Sequence, residues 1–188
     1  MEKTQRSSLR IQGYDYTQPG AYFVTILVNK RRSILGEVEA GYIKLSSIGE
    51  IVLSSWLEIP DHFPNVELGA FMIMPNHMHG IILINESSDE VRATQSPSSF
   101  WGASPLPGLT NESPRGPKPG SLGAIIGSFK SAVSKRYHLM TNNQNVTLWQ
   151  RNYYEHIIRD EKDLQTITDY ILTNPQNWQE DEEFTQAR

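Results

Sequence analysis

The chain has 188 residues, enough for one well-buried domain and short of what two normally need. Hydrophobic residues at 38% and charged residues at 20% are an ordinary globular composition, no apolar run approaches the length of a membrane helix, and the absence of cysteine excludes disulfides and thiolate metal sites. The net charge of -4 conceals an uneven distribution, because residues 1–36 carry six Lys/Arg against two Asp/Glu and residues 115–151 carry six Lys/Arg and no acid, so two segments could face a polyanion.

The polar start, Met1 to Arg10, has no apolar stretch or small-residue cleavage site, and a cytoplasmic location is expected. Ala21 to Val28, rich in β-branched and aromatic residues after the turn signal Gln18-Pro19-Gly20, reads as a central strand. The basic triplet Lys30-Arg31-Arg32 leaves its end. Gly36 to Leu45 reads as a hairpin turning at Ala40-Gly41. From Ser46 the spacing becomes helical, with Ile48, Ile51, Val52 and Trp56 on one stripe until Pro60. Glu67 to Met74 and Met78 to Ile84 then form an antiparallel pair of strands around Pro75-Asn76.

His77 and His79 sit where that second strand begins. Successive strand residues point to opposite faces, so the two imidazoles share one face and Met78 takes the other. Pro75 lacks a ladder donor and Gly80 lacks a side chain, which puts the pair near a strand end, where a metal could be held at the sheet's rim. The spacing alone fits better two partly buried strand histidines satisfied by hydrogen bonds, and a metal site needs further ligands facing the pair.

Residues 85–120 hold many prolines among Ser, Gly and Thr without periodicity and read as a disordered insertion. Helical spacing resumes at Leu122, with Ile125, Ile126, Phe129 and Val133 on one side and Lys130, Ser134, Lys135 and Arg136 on the other. Tyr153 to Arg159 reads as a strand with Tyr154, His156 and Ile158 on one face. Asp160 is a good N-cap for a helix to Thr173, with Leu164, Ile167, Ile171 and Leu172 as its buried stripe. Tyr170 lies on the margin of that stripe and Asn174 one turn further, before the stop at Pro175. An acidic tail, 176–188, closes a single domain spanning 1–188. The element order predicts an α+β fold, a ferredoxin-like antiparallel sheet with helices on one face.

Several stretches carry a family likeness. Met74-Pro75-Asn76-His77-Met78-His79 resembles the His-hydrophobic-His (HUH) motif of single-tyrosine transposases, and Trp149 to Arg159 resembles the signature of REP-associated tyrosine transposases. Tyr170 to Pro175 resembles that family's nucleophile segment, a tyrosine followed four residues later by a metal-binding amide. Gly20 to Thr25 and Gly127-Ser128-Phe129-Lys130-Ser131 also resemble family stretches. The likeness covers nearly the whole chain outside 85–120 and the tail, and the insertion is longer than such a fold needs.

The resemblance implies an HUH endonuclease fold and a transposase-like activity on single-stranded or hairpin DNA, with Tyr170 as nucleophile giving a 5'-phosphotyrosine. It also implies Mg2+ or Mn2+ held by His77, His79 and Asn174. A free phenol has a pKa of about 10, so the metal or a cation must favour the phenolate. Lys30, Arg31, Arg32, Lys130, Lys135, Arg136, Arg151 and His156 are candidate DNA contacts, and Trp149, Tyr153 and Tyr154 could stack on unpaired bases. No membrane partner is expected, nucleoid association is, and the sequence leaves monomer and homodimer both open. Two other readings stay open: a module that binds a DNA or RNA hairpin without cutting, and a metal phosphodiesterase that uses water.

Overall fold

Tyr22, Val24 and Ile26 turn to one side of strand β1 (Gly20–Leu27) and Phe23 to the other, so β1 is apolar on both faces and takes a central place. The computed structural model describes residues 14–86 and 116–178. The polar start, residues 87–115 of the expected insertion and residues 179–188 of the expected tail lie outside the described residues.

A short hairpin follows, β2 (Gly36–Glu39) and β3 (Tyr42–Leu45). It turns at Ala40 and Gly41, whose φ values of 51° and 80° are those of a tight two-residue turn matched to strand twist. Helix α1 (Ser47–Leu57) starts at Ser46, whose hydroxyl accepts from the Gly49 N–H at 3.1 Å. Pro60 opens the single turn α2 (Ile59–His62). Strands β4 (Val66–Ile73) and β5 (His77–Ile84) pair antiparallel. Helix α3 (Leu122–Thr141) is capped by Ser121 and ends at Asn142 in the left-handed conformation, φ 48°. Strand β6 (Tyr154–Ile158) and helix α4 (Glu161–Thr173) follow, with the Asp160 carboxylate accepting from the Asp163 N–H at 2.8 Å as expected.

The sheet order is β4-β5-β1-β6, every pairing antiparallel, and its chain order is strand, helix, two strands, helix, strand. That is the α+β ferredoxin-like arrangement expected from the element order. The two crossover helices, α1 and α3, lie on one face, where Val52, Trp56, Ile125, Ile126, Phe129 and Val133 join Tyr22, Val24, Ile26 and Met78 in the main core. The additional helix α4 covers the opposite face, packing Ile171 on Phe23 and Ile81, with Leu164 and Ile167 beside it. Leu172, expected on that stripe, is instead 53% exposed. One residue past Ile171 the helix has turned about 100° away from the sheet. No described helix is long and apolar enough to cross a membrane.

Gly80 explains how the largest core side chain is seated. It lies opposite Val24 on the main-core face of β5, and the fully buried Trp56 fills the place of its missing side chain. A Cβ at Gly80 would stand 2.4 Å from Trp56 Cζ2 and 2.8 Å from Cη2. Trp56 also meets the Phe129 ring edge-on at 5.3 Å, so it has no free direction in which to yield. Gly80→Ala is therefore expected to destabilise the fold by about 1–3 kcal/mol through overpacking. Urea denaturation reads this as a lowered midpoint, and an unchanged midpoint would show that the indole is not held there.

Candidate active site

The β4–β5 turn is pinned by the chain that leaves β1. Val28 N–H donates to Asn76 O at 2.9 Å, Leu35 N–H to Pro75 O at 2.9 Å, and Met74 N–H to His77 O at 2.8 Å. Pro75 needs to donate nothing there, and β5 begins at His77. The alternation then divides the motif: Met78 enters the main core, while His77 and His79 face the α4 side, 0% and 2% exposed.

Each imidazole is oriented through its Nδ1. His77 Nδ1 lies 2.7 Å from Asn76 Oδ1. An amide oxygen only accepts, so His77 carries its proton on Nδ1 and presents a lone pair at Nε2. His79 Nδ1 lies 2.9 Å from the hydroxyl of Thr25, its cross-strand partner in register, and a hydroxyl can donate or accept. The two Nε2 atoms face each other at 2.9 Å. Burial, with the nearby charge of Arg31, holds His77 down at about 3 against its ordinary 6.5, so the ring is neutral. Without an ion, His79 can fill the gap by donating from Nε2. With its proton on Nδ1 and bonded to Thr25, two lone pairs converge instead.

That donor set fits a divalent cation. Two nitrogens about 2.1 Å from one ion and at right angles stand about 3 Å apart, and outer-sphere acceptors on Nδ1 are what fix ligating imidazoles. Among the described residues no three His, Cys, Asp or Glu side chains cluster closely enough to hold a metal, so a third protein donor here would be an amide or hydroxyl.

Helix α4 brings the opposite wall. Tyr170 OH lies 3.3 Å from His79 Nε2, and its ring meets those of His79 and Phe23 at 5.1 and 6.2 Å. The ring is 46% exposed, so the phenol reaches the histidines while staying open to solvent. Asn174, the C-cap of α4, is 3% exposed. It stands in the chain between Tyr170 at His79 and Trp178, whose ring lies 5.9 Å from that of His77. Sequence reasoning gave no part to Asn76, Thr25 or Trp178. The first two were legible as the polar neighbour of His77 and the cross-strand partner of His79, once the register was known.

The predicted cations divide. Lys30 and Arg31 follow β1 with φ 58° and 52°, and the Arg31 charge lies close enough to His77 to add to the burial that disfavours its protonation. Lys30 is exposed, and Arg32 donates to Thr147 O at 3.1 Å. Lys135 and Arg151 are exposed. Lys130 donates to Gln150 O and Arg151 O, and burial holds it down at about 8. Arg136 donates to Glu58 at 2.6 Å and to Ser55 at 2.8 Å, so its charge ties α3 to α1. His156, opposite Phe23 in register and therefore on the face of the histidine pair, is bonded to Asp163 at 2.8 Å. That bond lowers the Asp163 pKa. Trp149 is 4% exposed against Phe129 and Tyr153 packs on the main core, whereas Tyr154 is 45% exposed.

No family model matches the chain. An uncharacterized protein of Haemophilus influenzae is 36% identical over 184 residues, 94% of this chain and 92% of that protein. A putative REP-associated tyrosine transposase of the same species is 27% identical over 166 residues, 86% and 73% of the two chains. The REP-associated tyrosine transposase of Escherichia coli K12 is 23% identical over 160 residues, 85% and 68% of the two. Among solved structures, a REP-associated tyrosine transposase bound to a REP hairpin superposes with a TM-score of 0.57 at 19% identity, covering 90% of this chain and 74% of that one. The chain is thus similar in sequence to proteins named REP-associated tyrosine transposases, and it shares the fold of the one solved with a REP hairpin.

Proposed function

We propose that this protein is a metal-dependent single-stranded DNA endonuclease and strand transferase that cuts by attack of Tyr170. The observation that carries the reading is the Tyr170 hydroxyl 3.3 Å from His79 Nε2, itself 2.9 Å from His77 Nε2, on a half-exposed ring that a DNA strand can reach. A binding module has no use for a phenol in that position. The described residues around the pair offer no carboxylate cluster of the kind a water-using phosphodiesterase employs.

His77, His79 and the Asn174 side chain would hold one Mg2+ or Mn2+, a mixed nitrogen and oxygen set without thiolate. When bound, the ion would supply positive charge for the non-bridging phosphate oxygens and for the developing charge on phosphorus. Asn76 and Thr25 keep the two Nε2 atoms aimed at one point. Arg31 adds a fixed charge beside His77 that favours an anionic substrate. Tyr170 loses its phenolic proton and its oxygen bonds to phosphorus as the bond from phosphorus to the 3' oxygen breaks. The 3' oxygen takes up a proton, and the 5' phosphate stays on the tyrosine. The ester retains the energy of the broken bond, so rejoining to another strand needs no nucleotide cofactor.

The substrate is single-stranded or hairpin DNA. The hairpin bound by the structural relative and the basic loop at 30–32 support this, and such a substrate implies a cytoplasmic, chromosome-associated protein. Exposed Lys30, Lys135 and Arg151 are available for backbone contacts, and exposed Tyr154 for stacking.

Tyr170→Phe keeps the ring and its contacts, so stability is expected to change by about 1 kcal/mol or less while adduct formation falls at least roughly 10³-fold. A denaturing gel with a 5'-labelled and a 3'-labelled oligonucleotide reads the adduct, and an undiminished adduct in the variant would refute the assignment. His77→Ala and His79→Ala should each abolish cleavage and reduce Mn2+ binding, followed by electron paramagnetic resonance, from one ion to none. Full Mn2+ occupancy in both would exclude the two-histidine site. The neutral state of His77 also predicts acid sensitivity. Its folded pKa of about 3 lies below the ordinary 6.5, so between these values the unfolded chain binds a proton that the folded chain does not. Metal-free stability should fall on the order of 1 kcal/mol per pH unit below pH 6.5, and flat urea midpoints from pH 7 to pH 4.5 would contradict this.

A further inference from the structure

Two family-like stretches, Gly127 to Ser131 and Trp149 to Arg151, take no part in the histidine and tyrosine site, yet they meet. They form the two sides of a groove of about 370 Å³ between α3 and the connection that leads into β6. This lies within the roughly 300–1,000 Å³ range of small-ligand sites. Among the described residues its lining includes Lys130, His138 and Arg151 and contains no carboxylate. Lys130 sets two of its three ammonium donors on the carbonyls of Gln150 and Arg151, which holds the cation at the groove wall. Gly127 is exposed on α3, and a Cβ added there would meet nothing within 4 Å, so the helix is bare where a flat ring could approach.

The groove opens on the α3 side of the sheet, and backbone hydrogen bonds tie its other wall to the strand next to the proposed cutting site. Gln150 N–H donates to Leu27 O at 2.9 Å and Asn29 N–H donates to Leu148 O at 2.7 Å, which sets this connection beside the end of β1. Leu27 is in turn the cross-strand partner of His77. Two strand spacings, roughly 10 Å, separate Gln150 from His77, and the basic loop at 30–32 leaves β1 between them.

We propose that this groove is a nucleotide subsite: it holds one unpaired nucleotide of single-stranded DNA a short distance along the strand from the cut phosphodiester, with Lys130 and Arg151 on its phosphate and the base over Gly127. The inference rests on the single-stranded DNA reading above. Its chemistry is that of a phosphodiester joined to a flat ring: Lys130 anchored at the wall, Arg151 on the lining, no carboxylate among the lining residues, neutral polar side chains at Ser131 and Ser134, and a glycine gap for the ring. Burial holds Lys130 down at about 8, so the ammonium stays largely protonated near neutral pH and a bound phosphate would favour its charge further.

The test uses the full chain, a fluorescein-labelled single-stranded oligonucleotide and anisotropy titrations over a range of salt. Gly127→Leu fills the groove at a helix position that favours leucine over glycine and is expected to weaken binding at least tenfold. Arg151→Gln, at an exposed position, should reduce the slope of log affinity against log salt by about 0.7, one phosphate contact. Wild-type affinity and slope in both variants, with melting temperatures unchanged, would overturn the subsite. Adduct formation by the wild type separates the two ideas: an adduct together with unaffected variants means that the groove alone is wrong. A wild type that neither binds nor forms an adduct removes the cutting function and the subsite with it.

Discussion

The period of two along β5 is the constraint from which the rest follows. Within four residues, His77 and His79 go to one face while Met78 and Gly80 go to the other. The second pair is as demanding as the first, because Gly80 is the seat of Trp56, and Trp56 ties α1 to the sheet and to Phe129 of α3. A one-residue slip in register would bury two imidazoles in the main core and expel that contact. The strand that builds the core therefore also fixes the polar site, and neither can drift without the other.

What completes the site is a helix outside the ferredoxin-like unit. Ile171 enters the apolar patch of Phe23 and Ile81, and this contact sets the rotation of α4 that brings Tyr170 to His79. The burial is modest, three buried residues among those described with a fringe of partly buried ones, whereas the opposite face has the large core. A wall of the candidate site held by a small cluster can shift without disturbing the sheet.

Much of this was legible in the sequence, because local patterns were its cause. The strands, the Ala40-Gly41 turn, the helical spacing from Ser46, the cap at Asp160 and the shared face of the histidines follow from periodicity and turn chemistry. The side of the sheet taken by α4 did not, since an amphipathic stripe says that a helix packs and not on what. Leu172 shows the same limit, because a stripe drawn one residue too wide still looks apolar. The cations were the least legible part. Lys130 and Arg136 looked alike on a basic helix face, yet one is clamped on backbone carbonyls and the other on Glu58, a partner 78 residues away in the chain. Charge density along a sequence counts cations and cannot tell which are occupied within the fold.

The central claim is that the one oxygen of Tyr170 becomes bonded to DNA. The most direct measurement is mass spectrometry of the protein after reaction with a single-stranded oligonucleotide in Mn2+, nuclease trimming and proteolysis. The account predicts a phosphonucleotide mass on the peptide containing Tyr170 and on no other. The same mass on a peptide carrying Tyr153 or Tyr154, or cleaved DNA with no modified peptide at all, would contradict it.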